Sequence, residues 1–157
     1  MASFIHNSAK GKHAEFMARI NANDPVNSVL LLALIANTGV ETDAVLLDKA
    51  DWAALVVGTT DFATNTGSTR KTLDQTGGIT ITIDNTNDRV DVDIPDQTWT
   101  AVANDGTGAI SDLATGYDSD STAGTDANVV AMSYHDFIIT PDGSDITATI
   151  ALLTRAA

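Results

Sequence analysis

Two alternating segments separated by six polar residues constrain the fold of this chain more than any other feature of its sequence. Residues 79–83 read Ile-Thr-Ile-Thr-Ile, and residues 90–94 read Val-Asp-Val-Asp-Ile. If Asp84 pairs with Arg89, every apolar residue of one segment faces an apolar residue of the other, and a shift by one residue would destroy this match. The two segments therefore predict an antiparallel β-hairpin with one apolar face and one polar face.

The rest of the chain continues this pattern of short strands and turns. Charged residues make up only 18% of the 157 residues, and Thr, Asp, Asn and Gly are abundant, which favours strands and turns over helices. One short helix is predicted at residues 42–57, capped by Thr42 or Asp43 and ended by Gly58. Strands are predicted at 26–35, 98–102, 108–117, 128–133, 137–140 and 145–153, with Trp99 in the core. This spacing predicts a mainly β protein, an antiparallel β-sandwich or barrel-like domain with one short helix.

Residues 1–26 differ from the remainder and predict an extended N-terminal arm before a single β-rich domain at 27–157. The arm shows no sustained hydrophobic period, and a solvated tail is the alternative. Residues 1–20 carry a net charge of +2, whereas the other 137 carry 5 basic and 20 acidic side chains. A cationic arm with aromatic anchors is suited to an acidic partner surface. The residues predicted to contact that partner are Phe4, Lys10, Lys12, Phe16 and Arg19.

Composition excludes several classes of function. A net charge of −13 opposes binding to a polyphosphate backbone, so no nucleic-acid partner is expected. The chain has no cysteine, which removes disulfides, thiolate catalysis and cysteine-type zinc sites. The longest apolar run covers residues 29–36, far short of the roughly 20 residues that span a bilayer, so no membrane partner is expected.

Motifs for catalysis are also missing from the sequence. Neither a G-x-S-x-G elbow nor a glycine-rich phosphate loop occurs. Tyr134, His135 and Asp136 are consecutive, but in a strand the histidine would point away from the other two, so a structural role is favoured. The acidic loop at residues 118–126 has oxygen ligands that suit Ca²⁺ but departs from the EF-hand pattern, which favours a plain loop. We therefore predict no enzyme activity, no cofactor, and no catalytic, cofactor-binding or metal residue.

From about Thr42 onward, over around two-thirds of its length, the chain resembles small virion structural proteins of tailed bacteriophages, most of all head decoration (cement) proteins. The residues that carry this resemblance are Trp52-Ala53-Ala54-Leu55, Arg70-Lys71-Thr72-Leu73, the run from Ile79 to Trp99, Tyr134-His135-Asp136-Phe137 and Pro141-Asp142-Gly143. The resemblance implies many copies on an assembled head and no catalysis.

The resemblance sets the expected partners and location. They are the major capsid protein and further copies of this chain, with a trimer suggested by analogy to other head decorations. The expected location is the capsid surface of the virion, after synthesis in the host cytoplasm. Two alternatives stay open, namely a phage tail or fibre receptor-binding module, and a carbohydrate-binding or hydrolytic surface protein.

Overall fold

A computed structural model describes residues 2–156. Met1 and Ala157, the outermost residues of the predicted arm and domain, lie outside this range. The described elements, in chain order, are β1 (Phe4–Ile5), α1 (His13–Ala22), β2 (Val29–Ala36), α2 (Asp43–Leu46), α3 (Trp52–Leu55), β3 (Lys71–Leu73), β4 (Thr80–Asp84), β5 (Arg89–Asp93), β6 (Gln97–Trp99), β7 (Ile110–Asp118), a single 3-10 turn (Asp126–Asn128), β8 (Val129–Ile139), β9 (Ile146–Ala148) and β10 (Thr154–Ala156).

The strands form three sheets in which every pairing is antiparallel. The largest has the order β1-β8-β7-β2-β3, the second has the order β10-β5-β4, and the third pairs β6 with β9. Strands account for 34% of the chain and helices for 14%. The prediction of a mainly β, antiparallel fold is confirmed, and the sheets do not close into a barrel.

Strand β2 lies inside the large sheet, between β7 and β3, and is buried on both faces. Its sequence is an unbroken apolar run, as expected of a strand that has no wet face. The two faces contribute to separate clusters of buried residues, one with Leu30, Leu32 and Leu34 and the other with Ala33 and Ile35. The prediction of a doubly buried strand in this region is confirmed.

Different elements cover the two faces of the large sheet. Met17 of α1, Val92 of β5 and Trp99 of β6 belong to the first cluster. Trp52 of α3 and Leu46 of α2 belong to the second. Trp99 is fully buried, as predicted, and its indole N–H donates to the carbonyl of Thr69 at 2.8 Å.

The predicted hairpin forms with the predicted register. β4 and β5 pair from Thr80 opposite Asp93 to Asp84 opposite Arg89, so that Ile81 faces Val92. The match of apolar with apolar residues along one face makes this register the favoured one. The C-terminal strand β10 adds to the other side of β5.

The prediction of an extended N-terminal arm is wrong. Phe4 and Ile5 pair with β8, and residues 13–22 form α1, whose Met17 and Ile20 are fully buried. His13, Phe16, Met17 and Ile20 lie at positions i, i+3, i+4 and i+7, the spacing of one helical face. Because that face packs into the core, the segment is held against the body instead of reaching away from it.

The single predicted helix at residues 42–57 is two short helices. α2 ends at Leu46, and Asp51 adopts an extended conformation before α3, where its side chain accepts a hydrogen bond from Ala54 N–H at 2.7 Å. The break has a tertiary cause, since the carbonyl of Ala50 accepts from Ala131 N–H of β8 at 3.0 Å. No helix within residues 2–156 is long and apolar enough to cross a membrane.

Strand boundaries near the C-terminus also differ from the predicted ones. Residues 128–133 and 137–140 were predicted as two strands, but β8 runs unbroken from Val129 to Ile139. Its register against β7 shifts twice, between Ile110 and Asp112 and between Thr115 and Gly116. The predicted strand at 145–153 is limited to β9, and an irregular stretch then leads to β10.

We expect Gly116→Ala to destabilise the protein. A Cβ at this buried position would lie 2.5 Å from Trp52 Nε1 and 2.5 Å from Val129 Cγ1, so one of these two buried side chains would have to shift. Overpacking of this kind costs about 1–3 kcal/mol of unfolding free energy, which urea denaturation would measure. Gly124→Ala is the control, because its Cβ would lie 3.7 Å from its nearest neighbour, Ser121 O. Equal stability of the two variants would contradict this account of the core.

Candidate functional site

The two aromatic residues predicted as partner anchors pack within the chain. The Phe4 ring stacks on Tyr134, with centroids 5.4 Å apart, and the Phe16 ring stacks on Tyr117 at 4.6 Å. Both phenylalanines are half-buried. Their aromatic faces are therefore used to attach β1 and α1 to the large sheet.

The three predicted cations remain at the surface. Lys10, Lys12 and Arg19 are exposed. Lys10 Nζ donates to Asn7 Oδ1 at 2.7 Å, and Arg19 Nε donates to Glu15 Oε1 at 3.0 Å. This hydrogen bond raises the pKa of Arg19, which stays a cation throughout. The structure thus separates the predicted interface into internal aromatic residues and external cations.

The Tyr134-His135-Asp136 sequence divides between the two faces of β8, as predicted. The buried Tyr134 hydroxyl donates to Asp112 Oδ2 at 3.2 Å. Burial raises the pKa of both Tyr134 and Asp112, so the phenol keeps its proton and remains the donor of this hydrogen bond. His135 points to the opposite face. These three side chains do not form a relay.

A serine–histidine contact on that opposite face was not predicted. His135 Nε2 lies 2.9 Å from Ser133 Oγ, which in turn lies 2.6 Å from Thr115 Oγ1. Positions i and i+2 share a face of a strand, so a single strand through residues 133–135 would have predicted this pair. The predicted strand ended at Ser133, and the pair was therefore missed. Ser133 and Thr115 are fully buried, and among residues 2–156 no carboxylate accepts a hydrogen bond from the imidazole. The hydroxyl cannot reach a substrate, so the geometry does not support acyl transfer.

The three histidines of the chain lie around the N-terminal segment, with His6 and His13 buried and His135 half-buried. His6 packs against the Phe4 and Tyr134 rings, and its two ring nitrogens make no hydrogen bond of normal geometry. His13 Nδ1 contacts Thr154 Oγ1 at 3.0 Å, and His13 lies near His135. Burial lowers the pKa of each histidine to about 4. The three imidazoles are therefore neutral near pH 7.

A small apolar cleft of about 300 Å³ lies between β8 and the segment that leads to β10. Leu113, His135 and Phe137 line one side, and residues 148–153 line the other. His135 also lines the adjoining cleft between β1 and β10. Both clefts lie where β1 or the segment that leads to β10 meets β8 of the large sheet.

The carboxylates of the acidic loop at residues 118–126 are engaged within the protein. Asp118 Oδ1 accepts from Asp120 N–H at 3.0 Å, and Asp120 Oδ1 accepts from the Thr122 hydroxyl at 2.6 Å. Asp126 Oδ2 accepts from Arg70 at 2.8 Å, and the Arg70 guanidinium lies over the rings of Phe62 and Trp52. Among residues 2–156, no group of three or more potential metal-ligating side chains converges.

The buried histidines predict that the protein loses stability in mild acid. Because each pKa is about 4 in the folded chain and 6.5 in the unfolded chain, the unfolded chain binds more protons between these values. The free energy of unfolding should therefore fall as the pH falls from about 6.5 to 4, by up to about 3 kcal/mol for each histidine. Urea titrations at half-unit pH steps would measure it.

His13→Gln should flatten this pH dependence, since glutamine does not titrate. Asp74→Asn is the control, because hydrogen bonds from Thr76 lower the pKa of this exposed carboxyl and place its titration below the interval. A free energy of unfolding that is constant from pH 6.5 to 4.5 in the unmodified protein would refute the assignment of neutral, buried histidines.

Comparisons with protein families, with curated proteins and with solved structures found no match to this chain. The resemblance to phage virion proteins therefore stays a prediction, and the functional argument depends on the geometry of this molecule.

Proposed function

We propose that this chain is a non-enzymatic structural protein of a tailed-phage virion that decorates or cements the head through protein–protein contacts. Its partners would be the major capsid protein and further copies of itself, without nucleic acid, membrane or cofactor. Its body would be of the sandwich type, with the smaller sheets packed over one face of the large sheet.

The observation that supports this proposal best is where the reactive side chains lie. His6, His13, the Ser133 hydroxyl and the Tyr134–Asp112 pair are buried and bonded or packed there, and the half-buried His135 is hydrogen-bonded to Ser133. The exposed features are instead the cations before and within α1, many acidic side chains, and the isoleucines Ile83 and Ile138 near the ends of their strands. Surfaces of this kind suit binding to other proteins better than they suit chemistry on a small substrate.

The residues that carry the resemblance support a scaffold role. Trp52 and Leu55 are fully buried, and the Arg70 guanidinium lies over the Trp52 and Phe62 rings. The 79–99 run forms the hairpin and the buried Trp99. The packing of these residues explains why the motifs are present. A structural protein without catalytic activity would need motifs of this kind.

The folded N-terminus changes the proposed mode of attachment. An arm laid over neighbouring capsid subunits does not agree with a segment whose aromatic residues and helix pack on its own body. We place the contact instead on the folded surface, where Lys10 and Lys12 precede α1 and have no carboxylate partner among residues 2–156. An acidic patch of the capsid protein is the complementary surface.

Cryo-electron microscopy of particles of the virus that encodes this chain would test the location. We expect density of this fold at repeated positions on the outside of the head. Density confined to the tail or its fibres would favour a receptor-binding module instead, and absence of the chain from purified particles would refute a virion role.

Removing the two lysines should weaken attachment. We expect Lys10→Ala combined with Lys12→Ala to reduce binding to heads stripped of this protein, and the loss should be largest at low salt because the attraction is electrostatic. The control, Ala123→Asp combined with Ala127→Asp, makes the same change in net charge in an exposed loop. Binding would be measured by co-sedimentation with the heads. Equal losses in the two variants would show that net charge, not this surface, governs attachment.

A further inference from the structure

Strand β4 has an open edge with which no other strand of the described chain pairs. It is the last strand of its sheet, with β5 on one side only. Its five residues are Thr-Ile-Thr-Ile-Asp, without proline, lysine or bulge, the features that commonly protect an edge from pairing. Ile83, near its end, has 69% of its surface exposed although its side chain lies on the apolar face of the hairpin.

The free backbone groups of this edge can be assigned from the hydrogen bonds of the neighbouring strand. The Val92 carbonyl accepts from Leu153 N–H at 3.0 Å, on the side of β5 that faces β10. Val92 and its partner Ile81 are therefore a non-hydrogen-bonded pair in the β4–β5 ladder. It follows that the N–H and C=O groups of Ile81 and Ile83 point away from β5, into the open edge.

We propose that β4 pairs with β4 of a second copy of this chain, antiparallel and centred on Thr82. In this register Ile81 of each copy faces Ile83 of the other, and their outward N–H and C=O groups exchange hydrogen bonds in both directions. Thr80 faces Asp84 on the polar face. The pairing is self-complementary, covers the exposed Ile83 with an apolar side chain, and joins two three-stranded sheets into one.

The charge of the chain also favours this edge for self-association. Two copies of a protein with net charge −13 repel one another unless they meet where that charge is neutralised. Asp84 is the one charged residue of β4, and its carboxylate lies 3.2 Å from Arg89 Nε. Arg89 and Arg155 together contact Asp91 on the same face. Asp84 and Asp91 are therefore balanced beside the proposed contact, and Asp93 is the carboxylate of β5 that has no cation partner in the described structure.

The open edges of β3 and β8 in the large sheet are less suited to pairing than the edge of β4. β3 has only three residues and carries Lys71. The end of β8 that extends past β1 contains a register shift, and its Asp136 N–H donates to Ser3 Oγ at 3.3 Å. Bulges and charged residues are devices that block strand addition.

A contact of one strand is smaller than the roughly 1,200–2,000 Å² of a standard stable interface. The dimer should therefore form at high protein concentration, or when copies are held side by side on a surface. The inference does not depend on the proposed virion role, because the contact uses only this chain and is measured in solution.

Sedimentation equilibrium over a range of concentrations tests the contact. We expect the mass to rise from 16.3 kDa toward twice that value, and Ile83→Lys to remain monomeric because a cation would face Ile81 of the other copy. Ile138→Lys is the matched control, since Ile138 is similarly exposed, at 75%, on the end of β8. Dimers of the unmodified protein and of Ile138→Lys, with monomers of Ile83→Lys, would support the proposal. The proposal would be overturned if the unmodified protein stayed monomeric at every concentration or formed a trimer. It would also be overturned if Ile83→Lys formed dimers as readily as the unmodified protein.

Cysteine cross-linking provides a second test that also captures a weak dimer. Thr82 would lie on the two-fold axis in a non-hydrogen-bonded pair, where Cα atoms are about 4.5 Å apart, within the range that a disulfide spans. The chain has no native cysteine, so Thr82→Cys should form a covalent dimer on mild oxidation. Thr140→Cys, exposed just after β8, is the control and should stay monomeric. Equal cross-linking of both variants, or none at position 82, would overturn the proposed register.

Discussion

Burial of the central strands on both faces is the constraint on which the rest of this structure depends. β7 is buried along its whole length and β2 along nearly all of it, so the large sheet must be covered twice. One cover comes from α1 and the smaller sheets, and the other from the segment around Trp52. The N-terminal segment is therefore not available as a free arm. Removing it would expose the leucines of β2 to water, at a cost of about 25 cal/mol for each Å² uncovered.

The sequence predicts those parts of the fold that depend on the pattern of apolar and polar residues over a short stretch of chain. The hairpin register follows from alternation within sixteen residues, and the doubly buried β2 follows from one unbroken apolar run. The helix at 42–57 could be placed only approximately, because its interruption is caused by pairing of Ala50 and Asp51 with β8, some eighty residues later in the chain. No local pattern records a contact at that separation.

The candidate site shows why exposed and internal aromatic residues are hard to separate by sequence. Phe4 and Phe16 occur among polar residues, which indicates anchors for a partner, but their partners are Tyr134 and Tyr117 of the same chain. The helical spacing of His13, Phe16, Met17 and Ile20 was the signal for an internal role. Lys10, Lys12 and Arg19 lie at the surface, as expected of residues that are seldom buried without a partner, and their role at an interface stays a prediction.

Copies of a protein this acidic repel one another, so any association between them has to overcome that repulsion. Most of the acidic side chains are not paired with a cation in the described structure, and they keep copies apart at distances up to about 8–10 Å at ordinary salt. The polar face of the hairpin is different, because Arg89 and Arg155 form a connected ion-pair network with Asp84 and Asp91. A network of this kind contributes little to stability at the surface. Its consequence is instead that repulsion between copies is reduced beside β4, an edge strand that carries the exposed Ile83. The charge pattern that opposes general aggregation is therefore weakest where we propose that two copies meet.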